Sequence, residues 1–140
     1  MKPCVFCGVV RGEREAAVVF EDAETVAFLD HKPLLHGHCL LVPRRHVETL
    51  GELPPELAGP LFANVQRLAG AVERGLDAAG VFVAINVKVS QSVPHLHVHV
   101  VPRWKGDGLF SHKLLWKRAP YASETQKQEV REKIRRALGG

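Results

Sequence analysis

Three histidines at alternate positions, in the run His95-Leu96-His97-Val98-His99-Val100-Val101, are the residues of this sequence best suited to chemistry. In an extended strand successive side chains point to opposite faces, so His95, His97 and His99 share one face and Leu96, Val98 and Val100 the other. The apolar face is expected to be buried and the imidazole face to line a site. Neighbouring imidazoles on such a face lie roughly 6.5 Å apart, twice the rise per residue, close enough to influence each other's proton affinity. Imidazole is a nucleophile at neutral pH and also a ligand for zinc, copper and iron, so the run fits covalent catalysis and a catalytic metal alike. A second cluster, Cys4-Val5-Phe6-Cys7, places two thiols across the two-residue spacer common in metal sites. A structural zinc needs four ligands, so the pair is half of one. Its other use, as a redox pair, goes with a βαβ pattern that is absent here. Cys39, inside an apolar run, reads as a small buried hydrophobe.

The elements that must position these groups are short. Val18-Val19-Phe20 and Thr25-Val26-Ala27-Phe28-Leu29 are β-prone runs around Glu21-Asp22-Ala23-Glu24, which suits a hairpin. His38 to Val42, stopped by Pro43, reads as a third strand. From Leu57 to Ala79 apolar residues recur at spacings of three and four, the period of an amphipathic helix. Pro54 and Pro55 suit its entry, Pro60 moves the expected start to Gly59-Pro60, and Gly80 is the expected stop. Val81 to Val87 and Pro94 to Val101 are the fourth and fifth strands. Trp104 to Gly108 is a turn-rich exit, and Ser123 with Gln126 three residues later opens a last helix with an apolar stripe of Val130, Ile134, Ala137 and Leu138. The order β-β-β-α-β-β-α predicts an α+β fold, an antiparallel sheet of about five strands with one long helix and a C-terminal helix.

With 140 residues, 46% hydrophobic and 24% charged, the chain fits one ordinary domain and not a disordered or collagen-like architecture. No apolar run approaches the roughly 18 residues needed to cross a bilayer, and no signal-type apolar region follows Met1-Lys2-Pro3-Cys4. No membrane partner and a cytoplasmic location are expected. An odd number of cysteines, 3, argues against a disulfide framework and leaves the thiols free or metal-bound. The net charge of +4 does not by itself predict nucleic-acid binding. It divides into +6 over residues 103–140 and −2 over residues 1–102. Much of the basic excess, at Arg131, Lys133, Arg135 and Arg136, falls on the last helix, where a solvated face is the expected use, so nucleic acid is not an expected partner.

The run from His95 to Val101 matches at every position the signature His-φ-His-φ-His-φ-φ, with φ hydrophobic, and by it the sequence resembles the histidine triad family. Supporting pieces are Cys4-Val5-Phe6-Cys7-Gly8-Val9-Val10 with Gly12-Glu13, Phe28-Leu29-Asp30, Gly37 to His46, and Val100-Val101-Pro102-Arg103 with Lys105-Gly106-Asp107-Gly108. The last of these looks like a prokaryotic branch. The resemblance spans about residues 3–108, which implies a family domain over 1–108 and a C-terminal extension, 109–140, whose helix packs on the same domain. What it implies about activity is a hydrolase acting on a purine nucleotide linked through an ester, anhydride or phosphoramidate. His97 would attack the α-phosphorus and form a covalent nucleotidyl-histidine that water then cleaves. His99 would bind a phosphate oxygen or assist the leaving group, His38 would set protonation and orientation in the triad, and His95 completes the catalytic set.

By the same resemblance Asn86, Gln91 and Ser92 match positions that hold phosphate or the leaving group, Asp30 matches the acid that binds ribose hydroxyls, and Val5, Phe6, Val9 and Phe28 match the nucleobase pocket. Members with the N-terminal thiol pair bind structural zinc through it and two histidines, which here implies Cys4, Cys7, His46 and His95. The family is usually a homodimer. The branch specialised for nucleotidyl transfer has glutamine in place of the third histidine, and His99 therefore favours hydrolysis. The other classes are a nucleotide-binding module without catalysis and a metalloenzyme liganded by the three triad histidines. The sequence departs from the family before the triad, where Asn86 to Ser92 is short and lacks the glycines that let backbone approach a phosphate closely. Trp104, Leu109, Phe110 and Trp116 are apolar enough for the C-terminal segment to cover the site or a dimer partner. His31, His36 and His112 receive no role.

Overall fold

The computed structural model describes residues 3–111 and 118–139. Trp116 and His112 lie outside the described residues. The chain forms α1 (Val5–Val10), β1 (Val18–Glu21), β2 (Thr25–Leu29), β3 (Cys39–Pro43), a one-turn 3-10 helix (Leu50–Glu52), α2 (Pro55–Gly75), β4 (Gly80–Ala84), β5 (Val98–Arg103) and α3 (Glu124–Gly139). The five strands make one sheet in the order β1-β2-β3-β5-β4, antiparallel at every step. This is the expected α+β architecture, with one short helix, α1, that hydropathy periodicity did not reveal. Six residues are too few to carry a period.

The central strands are buried on both faces. Ala27, Leu29, Cys39, Leu41, Val98 and Val100 meet Leu61, Val65, Leu68, Ala71 and Val72 of α2, together with Ile134 of α3. Val26, Phe28, Leu40 and Val42 turn the other way, toward Phe6 and Val9 of α1. Each strand thus sends alternate side chains to a helical layer and to the layer that holds the site. The first hairpin closes through Asp22, whose Oδ1 accepts from the Glu24 and Thr25 amides, 2.9 Å each. Asn64 of α2 donates to Asp22 Oδ2 at 2.8 Å and to Thr25 Oγ1 at 2.9 Å, which pins that turn to the helix.

Several boundaries differ from the sequence reading, among them the end of β4, at Ala84 and not Val87, and the end of β5, at Arg103 and not Val101. α2 starts at Pro55 and keeps Pro60 inside it. Pro60 is exposed and in the second turn, so the missing N–H leaves only a solvent-facing carbonyl unpaired. The helix ends at Gly75 rather than before Gly80, because Asp77 takes a left-handed φ of 51° and the Ala78 amide closes back on Glu73 O at 2.9 Å. Gly80 instead opens β4. The fifth strand is regular only from Val98, since β4 ends at Ala84 opposite His99. Upstream, the chain bends at Pro94 and His95, where the His95 amide turns back on Val93 O at 2.8 Å, and the Leu96 amide donates to Val47 O at 2.8 Å outside the sheet.

α3 crosses α2 and reaches β1. Gly75 allows the crossing, because a Cβ there would stand 2.6 Å from Lys133 O. The end of α3 starts as expected: the Gln126 amide donates to Ser123 Oγ at 3.0 Å, and the Gln126 side chain accepts from the Ala122 amide at 2.6 Å. Arg131 Nε and Arg135 Nη1 donate to Val18 O on the free edge of β1, at 2.7 and 3.3 Å.

Candidate active site

The alternation that defines the histidine run survives outside the regular strand. Leu96, Val98 and Val100 are fully buried in the helical layer, and His95, His97 and His99 turn to the face under α1. The Phe6 ring of α1 sits edge-on to His97 and His95, with centroids 5.1 and 6.0 Å away. The His97 and His99 rings are 5.0 Å apart, and His38, from the end of the β2–β3 loop, lies 5.1 Å from His99.

Backbone partners fix which nitrogen of His38 and His97 carries the proton, and His38 in turn fixes His99. The Leu34 amide donates to His38 Nδ1 at 3.0 Å, so that nitrogen is an acceptor and the His38 proton is on Nε2. His38 Nε2–H then donates to His99 Nδ1 at 2.9 Å, which places the His99 proton on Nε2. His97 Nδ1–H donates to His95 O at 2.8 Å, leaving a lone pair on His97 Nε2. Burial, reinforced by neighbouring histidines and by the Arg118 cation, pushes His38 down to about 2 and His99 down to about 4. Burial also lowers His97, opposed by its hydrogen bond to His95 O and by the nearby Asp30 charge. His38 and His99 are uncharged at neutral pH, and the lowering of His97 favours the uncharged ring, the form in which imidazole can act as a nucleophile.

Above His97 and His99 opens a cavity of 920 Å³. Val5, Phe6, Val9, Phe28 and Leu40 form an apolar wall, in which the Phe6 and Phe28 rings meet edge to face at 5.4 Å. Asp30, at the end of β2, and Ser92 contribute polar groups. Asp30 Oδ1 accepts from the Lys32 amide at 3.0 Å, and Oδ2 accepts from Arg118 Nη1 at 3.2 Å. Asn86 and Gln91 do not line this cavity. Asn86 Nδ2 donates to Ser90 O at 3.3 Å, while Gln91 bridges Glu48 O, at 2.6 Å, and the Lys88 amide, at 2.9 Å. The loop that lacks glycine turns with Lys88 and Ser90 at φ of 67° and 64°, a left-handed conformation that glycine would adopt without strain. Sequence reasoning missed Arg118, Lys127 and Gln128, which line the cavity from the C-terminal segment. No spacing signals them, because they arrive by tertiary packing alone.

Beside the triad, Cys4, Cys7, His46 and His95 bring one ligand atom each within 4.8 Å of one another. Cys4 Sγ is 3.4 Å and Cys7 Sγ 3.6 Å from His95 Nδ1, Cys7 Sγ is 3.2 Å from His46 Nδ1, and the two Nδ1 atoms are 3.2 Å apart. A tetrahedron built on ordinary zinc–sulfur and zinc–nitrogen bonds has S···N edges of about 3.6 Å and N···N edges of about 3.3 Å, so the donors fit that ion. His95 Nε2–H donates to Pro43 O at 2.8 Å, which leaves the Nδ1 lone pair facing the thiols, as a ligating imidazole requires. Cys4 Sγ also accepts from the Cys7 amide at 3.4 Å and so caps α1. His97 joins neither group of potential metal ligands found among the described residues. The three triad rings face different neighbours and do not converge on one ion.

The sequence profile of the HIT domain matches residues 11–106. The chain belongs to the HIT family. A Zn-bound histidine triad family protein from Mycobacterium smegmatis superposes with a TM-score of 0.82 at 37% identity, over 97% of this chain and 93% of that one. The protein hit of Bacillus subtilis is 38% identical over 108 residues, 75% of this chain and 74% of its own. An adenylylsulfatase of Arabidopsis thaliana is 33% identical over 114 residues, covering 80% of this chain and 58% of that protein. The HIT fold expected from the triad signature, a five-stranded antiparallel sheet with helices, is the fold observed. No helix among the described residues is long and apolar enough to cross a membrane.

Proposed function

We propose that this HIT protein hydrolyses a purine nucleotide conjugate, an AMP-type ester, anhydride or phosphoramidate, through a covalent intermediate on His97. The observation that carries the reading is the proton arrangement. His97 Nε2 has a lone pair, set by the main-chain carbonyl of His95, and His99 Nε2 a proton, set by His38, whose own tautomer the Leu34 amide fixes; neither depends on the substrate. The His97 lone pair attacks the α-phosphorus, a P–N bond forms, and the bond to the leaving group breaks with its electron pair. His99 Nε2–H donates to a phosphate oxygen as charge develops there. As the histidine becomes a cationic adduct, Nδ1–H stays bonded to His95 O, which stabilises the added charge. Water then attacks the phosphorus, loses a proton to solvent, and the P–N electron pair returns to Nε2. The apolar wall from Val5 to Phe28 would take the base, Asp30 the ribose hydroxyls, and Ser92 a phosphate oxygen. Asn86 and Gln91 would act by shaping the loop beside the leaving group.

Cys4, Cys7, His46 and His95 would hold structural zinc, and the Zn-bound relative supports that use. The ion would supply a cross-link and no step of the reaction. Residues 109–140 are read as an extension of the domain at 1–108, a reading supported by Ile134 of α3 in the common core. The test is turnover of an adenylated fluorogenic substrate. His97→Ala should lower kcat by about a thousandfold or more with little change in substrate binding. Unchanged turnover in His97→Ala would refute the nucleophile, and nucleotide binding without turnover in the wild type would favour a binding module.

A further inference from the structure

Residues 118–121 lie across the β2–β3 loop, which carries both Asp30 and His38. The Ala119 amide donates to Pro33 O at 2.6 Å, the Tyr121 hydroxyl accepts from the Gly37 amide at 2.9 Å, and the His36 ring stacks on Tyr121 at 4.6 Å. This anchoring aims one side chain, Arg118, at the Asp30 carboxylate. The geometry points to Arg118 as the residue that positions Asp30 for ribose and so sets how strongly the site distinguishes a ribose from a 2′-deoxyribose. The inference rests on the reading of Asp30 as the ribose-binding acid.

An ionised carboxylate offers about four lone-pair positions, two on each oxygen. The Lys32 amide uses one on Oδ1 and Arg118 Nη1 one on Oδ2. One position remains on each oxygen, the number needed by a vicinal pair of hydroxyls. Arg118 also settles a competition. Asp30 Oδ2 is 3.8 Å from His38 Nε2, whose proton already serves His99. Held by Arg118, Oδ2 stays off that proton, in a carboxylate that lines the cavity. Without Arg118, the donor facing Oδ2 is His38, and a carboxylate that turns to it leaves the sugar with one acceptor in place of two. A 2′-deoxy sugar needs only one, so its binding is insensitive to the change.

The experiment compares affinities for AMP and 2′-deoxy-AMP, by calorimetry on the full chain, in the wild type, Arg118→Ala and Arg118→Lys. The wild type should prefer AMP by about tenfold, the value of one hydrogen bond to a charged group. In Arg118→Ala the preference should fall to about twofold, almost wholly through weaker AMP binding, and in Arg118→Lys, which keeps one charged donor, it should recover in part. An unchanged preference in Arg118→Ala, or equal weakening of both nucleotides, overturns the positioning role and leaves the nucleotide site standing. A wild-type chain that binds neither nucleotide overturns the site's reading, and the role of Arg118 with it.

Discussion

Single buried imidazoles give this protein a definite response to acid. His38 has an ordinary value of 6.5 and is pushed to about 2 in the fold, chiefly by burial. The unfolded chain therefore takes up a proton below pH 6.5 that the folded chain refuses, and stability present above that value is lost as pH falls. The slope approaches about 1.4 kcal/mol per pH unit per histidine, so His38 alone should cost about 2 kcal/mol between pH 7 and 5. His99, lowered to about 4, adds in the same direction. Urea midpoints at pH 7, 6 and 5 should fall steadily, and His38→Asn should flatten that dependence by about one proton. An equal slope in the variant would contradict the assignment. At this scale the histidine run was legible because alternation is written into the primary structure. The groups that orient it were not. The Leu34 amide is main chain, and Arg118 lies 88 residues from Asp30.

Elements show the same division. The two long helices announce themselves by period, whereas α2's end depends on the left-handed backbone of Asp77 and β5's start depends on where β4 stops, neither of which a period records. α1 is the extreme case. Six residues cannot hold a helix in water alone. Its supports are Phe6 and Val9 in the apolar layer and the thiols at its first turn. Protein purified without chelator should carry about one zinc per chain. Stripping it, or replacing Cys4 and Cys7 by serine, should lower the melting temperature by several degrees, because the ion's binding energy is folding energy. Activity should then be lost in step with melting of the site. Reproducible absence of zinc from such preparations would sink the assignment.

At the scale of the whole molecule, one edge of the sheet is left uncovered among the described residues. β4 is the last strand in the order, and Val83 within it and Val87 just after it are 41% and 44% exposed, with Phe62 of α2 at 42%. A homodimer that joins two sheets along this edge is the expected assembly, and light scattering should report twice the 15.5 kDa chain mass. A monomer at micromolar concentration would contradict it.

The opposite edge is treated otherwise. Arg131 and Arg135 close the outward carbonyl of Val18, so two of the charges that make the C-terminal segment basic are used within the fold. An open β-edge is a template for strand addition by any passing chain. The helix that carries these arginines occupies one acceptor of this edge, and shortening the tail would trade a positive charge excess for a carbonyl open to strand addition.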